Sequence, residues 1–189
     1  MGSDEKLVEL CLQGEEHLFD VLVKRYADHI FNFIHQYIKD EGKAEDLTQD
    51  VFFRVWKHLK KFDTKRKFKV WIFQIARNAV IDYLRKRKEL KFSDLETDDG
   101  ENAIMDIKDE GENMNDALER KETKEEVEKI LQELSPAHRS VLILHYQDDL
   151  NFREIAEVTG ASENTVRSRH RRALATLKTK LEAENAPKL

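Results

Sequence analysis

The chain has 189 residues, 40% of them hydrophobic and 38% charged, with a formal net charge of −5. That length admits one large domain or two small ones, and a charge-rich, core-poor balance suits small helical units with wide solvated faces. The longest apolar run falls far short of the ~18 residues a membrane span needs, and the lone Cys11 excludes an internal disulfide and gives no zinc cluster.

The acidic N-terminus, MGSDEKLVELCLQG, has no apolar h-region and does not read as a signal peptide, so a reducing cytoplasm is the expected compartment. The first block, residues 4–92, reads as four or five helices. Leu7, Leu10, Cys11, Phe19, Leu22, Val23, Tyr26, Ile30, Phe33, Ile34 and Tyr37 recur at three- and four-residue steps. Asp40-Glu41-Gly42 breaks the pattern, and a new helix is expected from near Lys43, with Ala44, Leu47, Val51, Val55 and Leu59 as its buried stripe. That stripe leaves Asp46, Gln49, Asp50, Phe53, Arg54 and Lys57 facing outward. A large aromatic among charges suits a protein-binding surface, although Phe53 folded onto a neighbouring helix explains the pattern equally well.

A short basic loop, Asp63-Thr64-Lys65-Arg66-Lys67, leads into a helix from about Phe68 to the run Arg85-Lys86-Arg87-Lys88. Ile72, Ile75, Ala76, Ala79 and Tyr83 form its expected core face. Between its basic ends stand Trp71, Phe73, Arg77, Asn78, Asp82 and Tyr83. Phosphate-neutralising groups interleaved with stacking and hydrogen-bonding ones are what holds single-stranded nucleic acid. The bland reading makes Trp71 half-buried core and the basic run a solvated helix end favoured by the macrodipole.

From Ser93 to Glu119 there are eleven acids against the single base Lys108, a net of −10, so the remainder of the chain carries +5. The acidic net charge therefore does not argue against a nucleic-acid partner: two mildly basic blocks are joined by an acidic strap. Residues 93–119 have no strong periodicity and no aromatic, and they read as a linker.

The second block, residues 120–183, is again helical, giving an all-α chain. Val127, Ile130, Leu131 and Leu134 make one stripe, and Ser135-Pro136 supplies a cap and a first-turn proline before Val141–Tyr146. Then Phe152–Val158 reads as a short amphipathic helix, Thr159-Gly160-Ala161 as a tight turn, and Ser162 as the cap of a longer helix, which is the sequence form of a helix-turn-helix. In that last helix Val166, His170, Ala173, Leu174, Leu177 and Leu181 face inward, while Asn164, Thr165, Arg167, Ser168, Arg171 and Arg172 face out. Guanidiniums and short hydrogen-bonding groups near a helix N-terminus suit the major groove, with Arg169 placed for a phosphate. The alternative is an ordinary helical pair with a solvated basic face. The seven His are scattered, with no metal spacing, and no Gly-rich phosphate loop or nucleophile–base pair stands out. No cofactor and no catalytic residue is expected.

The segments EDLTQDVFFRVWKHLKKFD, KFKVWIFQIARNAVIDYLRKRK and LSPAHRSVLILHYQDDLNFREIAEVTGASENTVRSRHRRALATLK resemble, in order and over nearly the whole chain, regions two and four of extracytoplasmic-function (group IV) sigma factors of the sigma-70 family. The resemblance implies a non-enzymatic subunit that binds core RNA polymerase through the β′ clamp helices and the β flap. Asp46, Gln49, Asp50, Phe53 and Arg54 would be the clamp contacts. It implies that Lys65, Arg66, Lys67, Gln74, Arg77, Asn78, Asp82, Arg85 and Lys86 meet the minus-ten element, where an unstacked base is captured. It also implies that Thr165, Arg167, Ser168, Arg169, Arg171 and Arg172 meet the minus-thirty-five duplex. An anti-sigma partner is implied as well, and Asp82, acidic where some relatives carry an amide, would pair with a base on its own helix. The two blocks, joined by a linker, are expected to close on each other in the free chain and hide DNA surfaces. A stand-alone helix-turn-helix regulator would explain the second block but not the first.

Overall fold

The computed structural model describes residues 2–89, 131 and 133–184; the acidic linker at 93–119 lies outside them. Among the described residues every regular element is helical. Helix α1 (Asp4–Leu12) starts at Ser3, whose hydroxyl accepts the Lys6 N–H. A 3₁₀ turn, Glu16–Leu18, feeds α2 (Phe19–Ile38), which ends on Lys39 in the left-handed region. Helix α3 (Glu41–His58) begins two residues before the expected Lys43, because the Asp40 carboxylate accepts the Lys43 N–H at 3.0 Å and starts the helix at the acidic break itself. Another 3₁₀ turn, Leu59–Lys61, and the basic loop precede α4 (Phe68–Glu89).

In the second block, Ser135 accepts the His138 N–H and Pro136 occupies the first turn of α5 (Pro136–Tyr146). Asn151 and Glu154 close a reciprocal capping box on α6 (Phe152–Thr159). Gly160, at φ 67°, turns the chain, and Ser162 takes the Thr165 N–H at the start of α7 (Glu163–Glu184). The helix-turn-helix is thus α6, the glycine turn and α7.

Helices α2, α3 and α4 enclose an aromatic-rich core. Phe33 meets Phe73 edge-on at 5.4 Å, and Phe62, Phe68 and Trp71 pack as a trio. Phe33, Phe68 and Phe73 are fully buried, each contributing about 1.5–3 kcal/mol of transfer free energy. Helix α1 is fastened to this core by polar groups: Asp4 pairs with Arg25 and accepts the Tyr26 hydroxyl, while Glu5 accepts the Phe68 N–H at 3.0 Å. The Glu5 carboxylate therefore caps α4 from outside that helix.

The two blocks pack together. α4 lies against α6, and Val141, Ile143, Leu144, Leu150, Ile155, Val158 and Val166 join the same hydrophobic cluster as the first block. A smaller cluster of Leu131, Leu134, Leu142, Ala173 and Leu177 closes α5 on α7.

Candidate nucleic-acid and polymerase interfaces

On α3 the buried residues Ala44, Thr48, Val51, Phe52 and Val55 fix the helix, and the opposite face is open. Phe53 is 64% exposed and is not folded onto a neighbour. Asp46 and Gln49 are exposed beside it; Asp50 and Arg54 pair at 2.7 Å, one turn apart, and Arg54 also reaches Asp82 of α4 at 3.7 Å. An aromatic ring is held in solvent within a ring of fixed charges. Trp56, on the same helix, is partly covered by Phe19, at 5.0 Å between ring centres.

The basic loop is a defined turn. The Asp63 side chain accepts the Lys65 N–H at 3.0 Å and its carbonyl accepts the Arg66 N–H at 2.9 Å. Lys65, Arg66 and Lys67 all project outward. Along α4, Gln74 and Arg77 are half-buried, and Asn78, Arg85 and Lys86 are exposed. Asp82 sits 3.7 Å from both Arg85, one turn on, and Arg54, so it neutralises two arginines rather than facing DNA alone. Phe73 does not stand between the basic ends as a stacking group. It is wholly buried against Phe33, because α4 buries Phe73 and Val80 as well as Ile72, Ala76 and Ala79 of the expected face. Trp71 is half-buried between Phe62 and Phe68.

The loop and the start of the α4 face are not empty. Lys67 pairs with Glu154 at 2.5 Å and Arg66 with Glu157 at 3.5 Å, while the Gln74 amide donates to the Glu157 carbonyl at 2.8 Å. Burial works against ionisation of Glu154. The Lys67 and Asn151 hydrogen bonds outweigh it and hold the carboxyl below its usual range, and the same pair raises Lys67. The sequence reading takes Phe152–Val158 only as a short amphipathic helix and gives Glu154 and Glu157 no role.

On α7, Val166, Ala173 and Leu177 anchor the inner face, and Arg167, Arg171 and Arg172 project into solvent. Arg167 is oriented before any ligand arrives: Glu163 takes its Nε and Nη2 at 3.1 and 2.6 Å, and its guanidinium lies 4.9 Å over the Phe152 ring. Beneath it His145, Tyr146, Phe152 and His170 form a ring cluster, with Tyr146 bonded to His170 Nε2 at 3.1 Å. Burial, aided by His145, lowers the His170 pKa and favours a neutral ring there. Thr165 and Ser168 are half-buried. Arg169 stands apart from the other arginines. It lines a cleft of about 210 Å³ between the blocks, with Arg77, Phe33, Tyr37 and Ser140.

Among the described residues no group of three metal-ligating side chains converges, and no helix is long and apolar enough to cross a membrane. The arrangement offers three surfaces: an aromatic with fixed charges on α3, a basic loop with a polar helix face on α4, and an arginine face on α7.

Two family models match: Sigma-70 region 2 over residues 22–89, and Sigma-70, region 4 over residues 124–177. The chain is 34% identical to ECF RNA polymerase sigma factor SigM of Bacillus subtilis, an alignment covering 84% of this chain and 92% of that protein. It is 30% identical to the RNA polymerase sigma-H factor of Pseudomonas aeruginosa, over 90% of each. It is 29% identical to ECF RNA polymerase sigma factor SigW of Bacillus subtilis, over 94% and 96%. Among solved structures, CnrH in complex with the cytosolic domain of CnrY has a TM-score of 0.69 at 24% identity, covering 97% of this chain and all of that one. The sigma factor RpoE in complex with the anti-sigma factor NepR from Bartonella quintana has a TM-score of 0.65 at 24% identity, covering 87% and 96%.

Proposed function

The chain belongs to the extracytoplasmic-function sigma factors of the sigma-70 family and directs RNA polymerase to promoters, and we propose that it does so through the three surfaces just described. The first block, residues 4–92, docks on core polymerase through Asp46, Gln49, Asp50, Phe53 and Arg54, at the β′ clamp helices. Its loop Lys65–Lys67 and the α4 positions Gln74, Arg77, Asn78, Arg85 and Lys86 take the minus-ten strand. Capturing an unstacked base there costs a few kcal/mol, and that cost is what lets the site prefer particular bases. The second block, residues 120–183, sets α7 in the major groove of the minus-thirty-five duplex and approaches the β flap. Arg167 and Arg171 read base edges, while Arg172 and the hydroxyls of Thr165 and Ser168 steady the backbone.

The observation that carries the reading is Arg167, exposed on a helix whose inner face is fully packed and already aimed by Glu163 and Phe152. A guanidinium that loses little freedom on docking gains affinity for a planar acceptor pair such as a guanine edge. No residue of this chain makes or breaks a bond in this scheme; the polymerase supplies catalysis. The chain works where the polymerase is, in the cytoplasm, and an anti-sigma protein is its expected regulator.

Run-off transcription with purified bacterial core polymerase and a random promoter library tests this. Transcripts that depend on the chain, from templates sharing two short motifs at fixed spacing, are the expected result. Failure to form a complex with a cognate core, together with tight duplex binding by the chain alone, would replace the reading with a free-standing regulator.

A further inference from the structure

The start of α4 is not set by its own neighbours in sequence. Lys67, the residue before the helix, has no side-chain acceptor to offer the first N–H groups, and the carboxylate of the loop, Asp63, already accepts the Lys65 N–H. The first N–H of the helix, that of Phe68, is taken instead by Glu5 of α1, 63 residues away in the chain, at 3.0 Å. The neighbouring carboxylate reaches the same point by another route. Asp4 pairs with Arg25 and accepts the Tyr26 hydroxyl, and the Tyr26 ring lies 5.6 Å from that of Phe68. Phe68 is wholly buried, and Phe62, which meets its ring edge-on at 5.7 Å, is buried too. The basic loop is therefore slung between two buried phenylalanines, its entry shaped by the Asp63 turn and its exit by α1. Leu7 and Val8 seat α1 in the hydrophobic cluster, so both carboxylates arrive on a helix that is itself held. Helix α1 precedes residues 22–89, the stretch that matches Sigma-70 region 2.

We propose that Glu5 is a positioning residue for minus-ten capture: by accepting the Phe68 N–H it fixes where α4 begins, and with it how the basic loop stands relative to the helix face that carries Gln74 and Asn78. The inference rests on the assignment of that loop and face to the minus-ten strand, and Glu5 itself touches no DNA in it. The hydrogen bond sits at the junction of two surfaces that must act on one strand, so an error there is felt by both. A first turn that loses its cap frays. Moving the start of a helix by one residue turns the departing chain by about 100°, which would carry Lys67 and the loop before it to another side of α4. The docking face of α3 and the arginine face of α7 are fixed by their own packed stripes. Loss of Glu5 therefore falls on the minus-ten element and spares the other two surfaces.

The test compares the full chain, Glu5→Ala and Glu5→Gln in run-off transcription with core polymerase, at limiting chain. The templates are the strongest promoter from the random library, the same promoter with one minus-ten base changed, and the same with one minus-thirty-five base changed. Glutamine removes the charge but keeps the oxygen that accepts the Phe68 N–H. Glu5→Ala should lower the ratio of transcript from the intact over the minus-ten-changed promoter several-fold, while the ratio for the minus-thirty-five change stays at the parent's value. Glu5→Gln should restore most of the first ratio. A chain that is merely less well folded delivers fewer active molecules to every template and moves neither ratio. Unchanged ratios in Glu5→Ala would therefore overturn the proposal even where total transcript falls. So would equal loss of both ratios, or a Glu5→Gln variant no better than Glu5→Ala. Where Glu5→Ala yields too little transcript to form a ratio, Glu5→Asp, one methylene short of the N–H, carries the same comparison. Lys65→Ala with Arg66→Ala reports on the assignment beneath. If that double variant transcribes the intact promoter as the parent does, the loop is no minus-ten contact and the proposal falls with that reading. If it loses transcript while Glu5→Ala keeps its ratios, the positioning role alone falls.

Discussion

Replacing Arg139 by alanine should cost the chain about 3–5 kcal/mol. The side chain is 6% exposed and donates to at least three carbonyls: Leu131 at 2.7 Å, Leu134 at 3.0 Å and Gln36 at 2.5 Å. A hydrogen bond from an ionised donor is worth about 1.5–3 kcal/mol net, which places an upper bound near 9 kcal/mol. Burial of the guanidinium opposes the gain and lowers its pKa, and water re-solvates some of the carbonyls once the side chain is gone, so the cost falls to the low end of that sum and below it, about 3–5 kcal/mol. Two of the bonds lie within the second block and one crosses to the first. The loss should accordingly divide into roughly two parts of unfolding stability and one part of closure. Urea unfolding followed by circular dichroism reads the first, and the distance between spin labels placed on the two blocks reads the second. Arg139→Lys should recover less than half of the loss, because an ammonium cannot fork to carbonyls on separate segments. A loss below about 1 kcal/mol in Arg139→Ala would refute the reasoning, since the three acceptors would then have been satisfied without the guanidinium.

Three further outcomes are expected. Gly160→Ala should lower stability by about 1–2 kcal/mol through the backbone alone, as Gly160 has φ 67° and nothing lies within 4 Å of an added Cβ; a thermal melt unchanged by the substitution would place the turn elsewhere. Phe53→Ala should leave the melting temperature nearly unchanged while weakening the complex with core polymerase by about 2 kcal/mol, roughly thirtyfold, in a fluorescence titration; unchanged affinity would remove α3 from the docking surface. Asp148 is raised above its usual range by burial, which the His29 hydrogen bond and Lys69 only partly offset, with Asp149 adding repulsion. A carboxyl raised in the closed form favours closure below its ordinary pKa, and that contribution is lost as pH rises through the raised value. At neutral pH the ionised Asp148 thus opposes burial. Asp148→Asn, which keeps an acceptor for His29, should leave closure at neutral pH as strong or stronger and flatten its strengthening on acidification, as read by the distance between spin labels placed on the two blocks. A marked opening of Asp148→Asn at neutral pH would refute this.

The helices were legible where local chemistry decides them. Ser135 with Pro136, the Gly160 turn and the Ser162 cap each announce a helix end, and the Val166, Ala173 and Leu177 stripe announces a packed inner face. Phe73 was placed on the wrong side because one stripe was assumed for α4. That helix is covered from two directions, and Phe73 and Val80, at three- and four-residue steps on either side of Ala76, were the signal of the second cover. Closure between the blocks was expected from the linker, but the residues that meet were not legible. Arg66, Lys67, Gln74, Glu154 and Glu157 are all polar, and polar residues on a helix surface look the same in sequence whether they face water or each other. Periodicity reports which face is apolar and is silent on which charges meet across a distance of more than eighty residues.

Glu5 holds the Phe68 N–H at 3.0 Å, so the positive end of α4 is already answered by a carboxylate from α1. Helix N-termini are common seats for phosphate because their free N–H groups and dipole are rigidly aimed. Here the Phe68 N–H is not open to a phosphate, and on the proposed minus-ten reading the strand backbone is gripped by long side chains, Lys65, Arg66 and Lys67 among them. Such a grip yields to added salt and tolerates a strand that shifts by several ångströms, whereas a backbone seat would fix one register. On that reading the N-terminal helix, by covering the Phe68 N–H, leaves the register of the strand to base contacts and not to a fixed phosphate seat.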